Sequence, residues 1–493
     1  MSGKDTDGGA ARRPDPAGTV VTGTHSATPS PNDFSPSAKV RAIREEIGHP
    51  VIDGDGHLVE ILPLVIEMVG EVADPGVAQA FTSYLGTMFG EGSGFTPVRQ
   101  PFWGSPGPTV DRLTTALPAL MYERLDQFGL DFALLYPGVG LALMSCANAE
   151  VRQAGTRAIN TYYAEIFGSY GDRMTPTAVI PMFTPDEAIA ELDHAVGALG
   201  LKAVVMTGVV PRPARSDGAT GWIDTLGHDS DFDYDPLWAR CQELRIVPAF
   251  HGIGFGWGSR TSRSNYVYNH LGNFAAAQEA ICRSLIMGGV TTRFPDLRFA
   301  FLEGGVTWAA QLYADLIGHW QKRNGQAIRA NDPAAIDVAL ADRLIAAHAS
   351  GPLANRHDVI RGSVRSNPSA AVDRATVDEF VTSGIDGAAD VARIFTEQLF
   401  FGCEADDPLN ALAFTPGMLP LGIRLNAFFG SDIGHWDVPD QRNVLPEAWE
   451  LVEDGHVGRE AFGDFVFGNV ARMLTDANPA FFDGTSIKVA TAK

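Results

Sequence analysis

Short apolar runs that end in Pro, Gly or a polar residue alternate with amphipathic stretches of helical period over most of this chain. The runs fall at 51–60, 130–137, 177–182, 202–208, 246–252, 297–305, 398–404 and 423–432, eight in all. Polarity does not alternate along the runs, which is the pattern of parallel strands buried on both faces. Helical stretches between them, such as the one at 122–128 before the second run, supply the crossovers that parallel strands need. Eight such units predict an α/β fold, a closed (β/α)8 barrel of the TIM type, with a doubly wound open sheet as the alternative.

Three segments break the repeat. Residues 1–37 are rich in Gly, Pro, Ser, Thr and Asp and poor in large apolar side chains, so burial cannot offset their ordering entropy and a disordered tail is expected. A stretch near 71–118 is punctuated by Gly and Pro and carries aromatic residues, which suits a lid or binding loop. Amphipathic stretches at 336–348 and 377–398 place an insertion at 325–396, after the sixth strand's helix, to serve as a lid or a dimer contact. The barrel domain is therefore bounded at 38–484, and 485–493 is a C-terminal tail.

Composition narrows the picture without supplying chemistry. With 45% hydrophobic and 19% charged residues the chain can bury a large core. A formal net charge of -22 argues against a nucleic-acid or anionic-membrane partner. The four cysteines, Cys146, Cys241, Cys282 and Cys403, have no paired spacing and read as reduced thiols in a cytoplasmic protein. No apolar run approaches the ~18 residues of a membrane-spanning helix, and no secretory signal follows Arg12 and Arg13.

The chemistry sits at the strand ends. In a (β/α)8 barrel the loops leaving the C-terminal ends of the strands build the active site. Asp55, His57 and Glu60 stand in the C-terminal part of the first run, and His251, Glu303, Glu404 and Asp432 toward the ends of the fifth, sixth, seventh and eighth, with His435 three residues further on. A single carboxylate at such a position commonly caps a helix, and a single buried His is commonly structural. So many at one end of one barrel point instead to a metal cup.

Five motifs carry a family resemblance. They are Ile-Asp-Gly-Asp-Gly-His-Leu-Val-Glu at 52–60, Gly-Gly-Val-Thr-Thr-Arg-Phe-Pro-Asp-Leu-Arg at 288–298, Glu-Gly-Gly-Val-Thr-Trp at 303–308, Gly-Ser-Asp-Ile-Gly-His-Trp-Asp at 430–437 and Phe-Val-Phe-Gly-Asn-Val-Ala-Arg at 465–472. Through them the chain resembles the amidohydrolase-related branch of the amidohydrolase superfamily, which contains metal-dependent decarboxylases and hydrolases. The resemblance implies a (β/α)8 barrel with one or two divalent metals at its mouth, and a homodimer. It also implies that Asp55 and His57 stand where the family often has His-x-His, that His251 and Asp432 match ligands after the fifth and eighth strands, and that Glu303 replaces a histidine.

Two carboxylates in place of histidines make plain zinc hydrolysis less secure. Asp55, Glu60, Glu303 and Asp432 with His57 and His251 give an oxygen-rich set suited to iron or manganese, in the ligand stoichiometry of helical-bundle di-iron proteins. On that count the chain resembles the group typified by the non-haem di-iron monooxygenase of platensimycin and platencin biosynthesis. The expectation is then two Fe(II), dioxygen and a terpenoid-like acyl-CoA ester, with Zn(II) or Mn(II) as alternative metals. The alternative activity is a mononuclear or dinuclear hydrolase or decarboxylase, and a degenerate barrel that only binds is the third reading. Under hydrolysis Asp432 serves as ligand and base. His435 binds a second metal, donates a proton or hydrogen-bonds Asp432, and His270 carries a proton or is structural.

Candidate substrate contacts follow His251. In the loop at 252–263, Arg260 and Arg263 suit phosphates of a CoA-like group, and Phe255 and Trp257 suit an apolar acyl chain; a flexible solvated loop is the competing reading. Arg212 and Arg215 can extend the basic patch. Trp308 and Trp436 flank ligand segments and either dry the cavity or pack the core.

Overall fold

The computed structural model describes residues 33–88, 107–213, 221–332, 335–365 and 377–488. Residues 1–32 of the expected tail, 89–106 of the expected binding loop, Arg215 and the last five residues lie outside them. Among the described residues there are ten strands. They are β1 (Ile52–His57), β2 (Phe132–Tyr136), β3 (Met174–Ile180), β4 (Ala203–Met206), β5 (Val210–Arg212), β6 (Trp222–Asp224), β7 (Ala249–Phe250), β8 (Phe299–Phe301), β9 (Leu399–Glu404) and β10 (Asn426–Gly430).

Eight of them form one sheet in the order β1-β2-β3-β4-β7-β8-β9-β10, with every registered pair parallel. β5 and β6 pair as a separate antiparallel hairpin. The ring closes where the last strand meets the first: Asp432 N donates to Asp55 O at 2.9 Å, and His57 N donates to Ile433 O at 2.8 Å. A (β/α)8 barrel results, and the open-sheet alternative is excluded. Seven strands lie wholly within the predicted runs. β3 begins earlier, at Met174, which pairs with Ala133 even though Pro176 lies inside the strand and Pro ordinarily marks a strand's limit.

Burial of both strand faces explains the continuous apolar runs. Phe250, Phe299, Phe301 and Phe401 are fully buried, and their rings make a ladder across adjacent strands: Phe250 and Phe299 stack at 6.3 Å, Phe301 and Phe401 at 6.0 Å. Trp238, Trp308 and Phe395 reach this ladder from the surrounding helices. Trp308 thus packs between barrel and helix, its ring against Phe301 and Phe401. The helix Ala149–Phe167 is fixed to β3 by Asn160, whose amide donates to Val179 O (2.9 Å) and accepts from Val179 N (2.8 Å). Such pairing satisfies the N–H and C=O of Val179, which is registered with Val205 of β4 on its other side.

The insertion departs in detail from its expected helices. Val338–His348 forms with no buried residue and is tied to His357–Arg365 through Arg361 and Asp342 at 2.6 Å. The expected helix at 377–398 begins only at Ala388. Gly384, at φ +66° against Thr292, and the Ser383 hydroxyl bonded to Phe380 O turn the preceding residues into a compact loop.

Candidate metal centre

β1 delivers the first donors because every one of its residues is buried, polar ones included. A register irregularity between Asp53 and Gly56 turns the strand at its C-terminal end. Asp55 and His57 there face the end of β10, and glycines make the approach possible. A Cβ on Gly430 would lie 2.8 Å from Asp55 Cβ, and one on Gly434, at φ +109°, 2.9 Å from His57 Cβ.

The remaining donors come from the ends of β7, β8 and β10. His251 follows β7 directly, its N–H donating to Met206 O at 3.0 Å. Glu303 and Asp432 both adopt left-handed backbone, φ 56° and 49°, a conformation that non-glycine residues hold only where the surroundings impose it. Two overlapping groups result: ligand atoms of His57, Glu303, Asp432 and His435 lie within 4.8 Å of one another, and so do those of Asp55, His57 and His251. His251 Nε2 stands 2.9 Å from Glu303 Oε2, His57 Nε2 3.2 Å from Asp432 Oδ1 and 3.6 Å from Asp55 Oδ1, and His435 Nδ1 2.5 Å from Asp432 Oδ1.

These atoms fit a cation. Asp55 Oδ1, Glu303 Oε2, both Asp432 oxygens and the ring nitrogens of His57 and His251 are buried without a well-formed hydrogen bond, although they crowd one another. Convergence of that kind is what side chains aimed at a common ion show, since buried polar atoms otherwise find partners. Burial, and then the charge of His435, lowers His57 to about 4; burial and then His57 hold His251 well below its ordinary value. Both imidazoles are therefore neutral, the form that binds metal. Burial and then Asp432 push Asp55 and Glu303 well above the carboxylate range, a mutual repulsion that divalent cations relieve. Asp432 differs: against the effect of burial, His435 and His57 hold it below that range.

Glu60 is not brought to this cluster. Its carboxylate accepts from Val139 N (2.8 Å), Gly140 N (3.1 Å) and the Tyr163 hydroxyl (2.7 Å), so it caps the helix Val139–Leu143. His435 takes its place, and the set becomes three carboxylates with three imidazoles instead of four with two. Glu404 is a neighbouring carboxyl, raised by burial and then by Asp432, and is not one of the converging donors among the described residues.

The expected substrate residues divide. Phe255 and His270 belong to a wall of rings with Tyr266, Phe274 and Trp436, in which His270 lies 5.6 Å from both Phe274 and Trp436. Phe274 also meets the ring of His251 edge-on at 5.4 Å, so the wall adjoins the donors. Trp257 sits in the turn closed by Arg260 N donating to Trp257 O. The Arg260 guanidinium donates to Leu271 O (3.4 Å) and Gly272 O (3.0 Å). Arg212 is likewise held by Asp224, Phe183 O and the Tyr234 hydroxyl, and Arg263 is exposed. Sequence reasoning missed Tyr136, whose ring lies 6.2 Å from both His57 and His251, and the clamp formed by Asp53. Their signal was only a strand-end position and a shared strand face.

The amidohydrolase family profile matches residues 52–355, well over half of the chain. The chain belongs to the amidohydrolase family. The matched range carries Asp55, His57, His251 and Glu303, while Asp432 and His435 lie beyond it and are joined to this amidohydrolase site by the fold. No curated protein matches. Among solved structures, an IDCase of Metarhizium anisopliae in apo form aligns at TM-score 0.50 with 14% identity, covering 87% of this chain and 97% of that one. An amidohydrolase of Mycobacterium avium subsp. paratuberculosis K-10 aligns at 0.46 with 18% identity over 75% and 77%. A dihydroxybenzoic acid decarboxylase of Polaromonas sp. JS666, with bound manganese and 2-nitroresorcinol, aligns at 0.46 with 14% identity over 87% and 97%. At 14% identity the likeness to the first of these is one of fold alone.

Proposed function

We propose that this amidohydrolase-family enzyme is a metal-dependent hydrolase or decarboxylase of a small molecule, with Asp55, His57, His251, Glu303, Asp432 and His435 holding one or two divalent cations. The observation that carries the reading is the convergence of buried donor atoms from four strand ends without hydrogen bonds among them. Three imidazoles bring the set closer to the nitrogen-containing sites that zinc prefers, and the carboxylates equally admit manganese. When bound, such an ion supplies Lewis acidity toward a substrate oxygen.

The chain's own residues handle the protons. Asp432 is positioned to accept a proton from an attacking water or a substrate hydroxyl. His435, at 2.5 Å from it and at the rim, is positioned, where it does not itself hold a cation, to deliver a proton to the leaving group or carbanion. The ring wall of Phe255, Tyr266, His270, Phe274 and Trp436 screens the site from bulk water and offers flat apolar faces to a substrate.

The di-iron monooxygenase reading rested on carboxylates at Asp55 and Glu303 in place of histidines and on a count of four carboxylates that included Glu60, and the acyl-CoA reading on that resemblance together with the arginines of the 252–263 loop. With Glu60 committed to a helix end and Arg260 to backbone carbonyls, hydrolysis or decarboxylation fits better. The test is metal content per chain after anaerobic loading with Zn(II), Mn(II) or Fe(II). Turnover of aryl carboxylates, esters and amides is then measured with oxygen uptake recorded. Oxygen-independent turnover is expected; two irons per chain with obligatory oxygen consumption would replace this reading by the monooxygenase.

A further inference from the structure

A cup assembled from the first and last strands of a ring needs something to hold those strands in register. We infer that Asp53 is the positioning residue of the metal centre, clamping the backbone on both sides of Asp432 to the backbone of Asp55. The inference rests on the metal-centre reading above.

Asp53 is fully buried, two residues before Asp55 on the same strand, and its carboxylate stands outside the converging donors. Oδ1 accepts from Ser431 N at 2.9 Å and from Asp55 N at 3.2 Å, and Oδ2 accepts from the Ser431 hydroxyl at 2.5 Å. The Ser431 hydroxyl in turn accepts from Ile433 N at 3.2 Å. Residues 431 and 433 are thereby fixed, and Asp432 between them is left in its left-handed conformation with both oxygens buried and Oδ1 beside His57 and His435. Space for the clamp is made by Gly56, where a Cβ would lie 2.5 Å from Asp53 Oδ2.

A carboxylate suits this position because every partner is a donor. An ionised Asp presents acceptors at both oxygens, whereas Asn would set an NH2 against either Ser431 or the two backbone N–H groups. The clamp touches neither substrate nor metal and acts only through Asp432 and Asp55. Outer partners of this sort orient ligands, and their loss ordinarily weakens metal affinity by ~10–100-fold.

The experiment uses the full chain and its Asp53→Asn, Ser431→Ala and Ser431→Thr variants. Mn(II) affinity is measured by titration calorimetry, the ligand field by the visible spectrum of the Co(II)-loaded protein, and apoprotein stability by urea unfolding. Asp53→Asn and Ser431→Ala are expected to bind Mn(II) ~10–100-fold more weakly and to shift the Co(II) bands. Ser431→Thr, which keeps the hydroxyl, is expected to restore both. Should Asp53→Asn not fold, the Ser431 pair carries the test. Weakened apoprotein with unchanged Mn(II) affinity and Co(II) spectrum would overturn the inference, leaving Asp53 a purely structural residue. Failure of the unaltered chain to bind Mn(II) or Co(II) would overturn the metal-centre reading and this inference together.

Discussion

Glu60 and His251 make the sharpest contrast among single residues. Both were read as ligands, yet one carboxylate is saturated by three donors while the other side chain has two buried, unbonded nitrogens. Glu60→Gln is expected to keep its metal and to lose ~1–3 kcal/mol of stability, because an amide NH2 cannot accept from the helix N–H groups. Metal analysis beside urea unfolding checks this. His251→Ala is expected to do the reverse, losing metal with little change in the unfolding midpoint of the apoprotein. Asp432→Asn is expected to lower kcat by ~10²–10⁴, as removal of a proton acceptor does, and steady-state rates on the metal-loaded variant measure it. A result within a few-fold of the unaltered enzyme would place the base elsewhere.

Elements show where sequence reasoning is strong and where it stops. All eight barrel strands were legible, seven because burial on both faces forces apolar runs and β1 because the short apolar lead of Val51 and Ile52 opens into carboxylates and a histidine spaced two apart, and the strand-end positions of Asp55, His57, His251, Glu303 and Asp432 followed from that. Direction was not legible. Glu60 lies three residues past His57, and nothing in the spacing shows that the chain turns it toward the helix Val139–Leu143. The clamp of Asp53 was hidden for the same reason, since its partner Ser431 is 378 residues away. The helix expected at 377–398 starts only at Ala388 because the left-handed Gly384 outweighs the amphipathic pattern before it. The close approach of β1 to the end of β10 gives its own prediction. Gly434→Ala forces a Cβ to 2.9 Å from His57 in a backbone that disfavours it, so a loss above ~1 kcal/mol is expected together with weaker metal binding. Paired unfolding and Mn(II) titrations separate the two effects. An unchanged affinity would show that the end of β10 relaxes without disturbing His57.

At the scale of the whole molecule, the donors bind one state only. They are scattered from residue 55 to residue 435 and meet only in the closed barrel, so metal binding adds to folding stability by mass action. Chelation is expected to lower the thermal midpoint, and free ion at 100 times its Kd to restore ~2.7 kcal/mol. Calorimetric scans at several Mn(II) concentrations measure it, and a midpoint indifferent to the ion would count against the centre.

The hydrogen bonds that join β10 to β1 have a further meaning for the newly made protein. Asp55 and His57 leave the ribosome well before Asp432 and His435, so no nascent or truncated chain ending before residue 432 can assemble the whole cup. Occupancy of the whole cup by metal therefore reports that synthesis has passed residue 435 and that the ring has been shut.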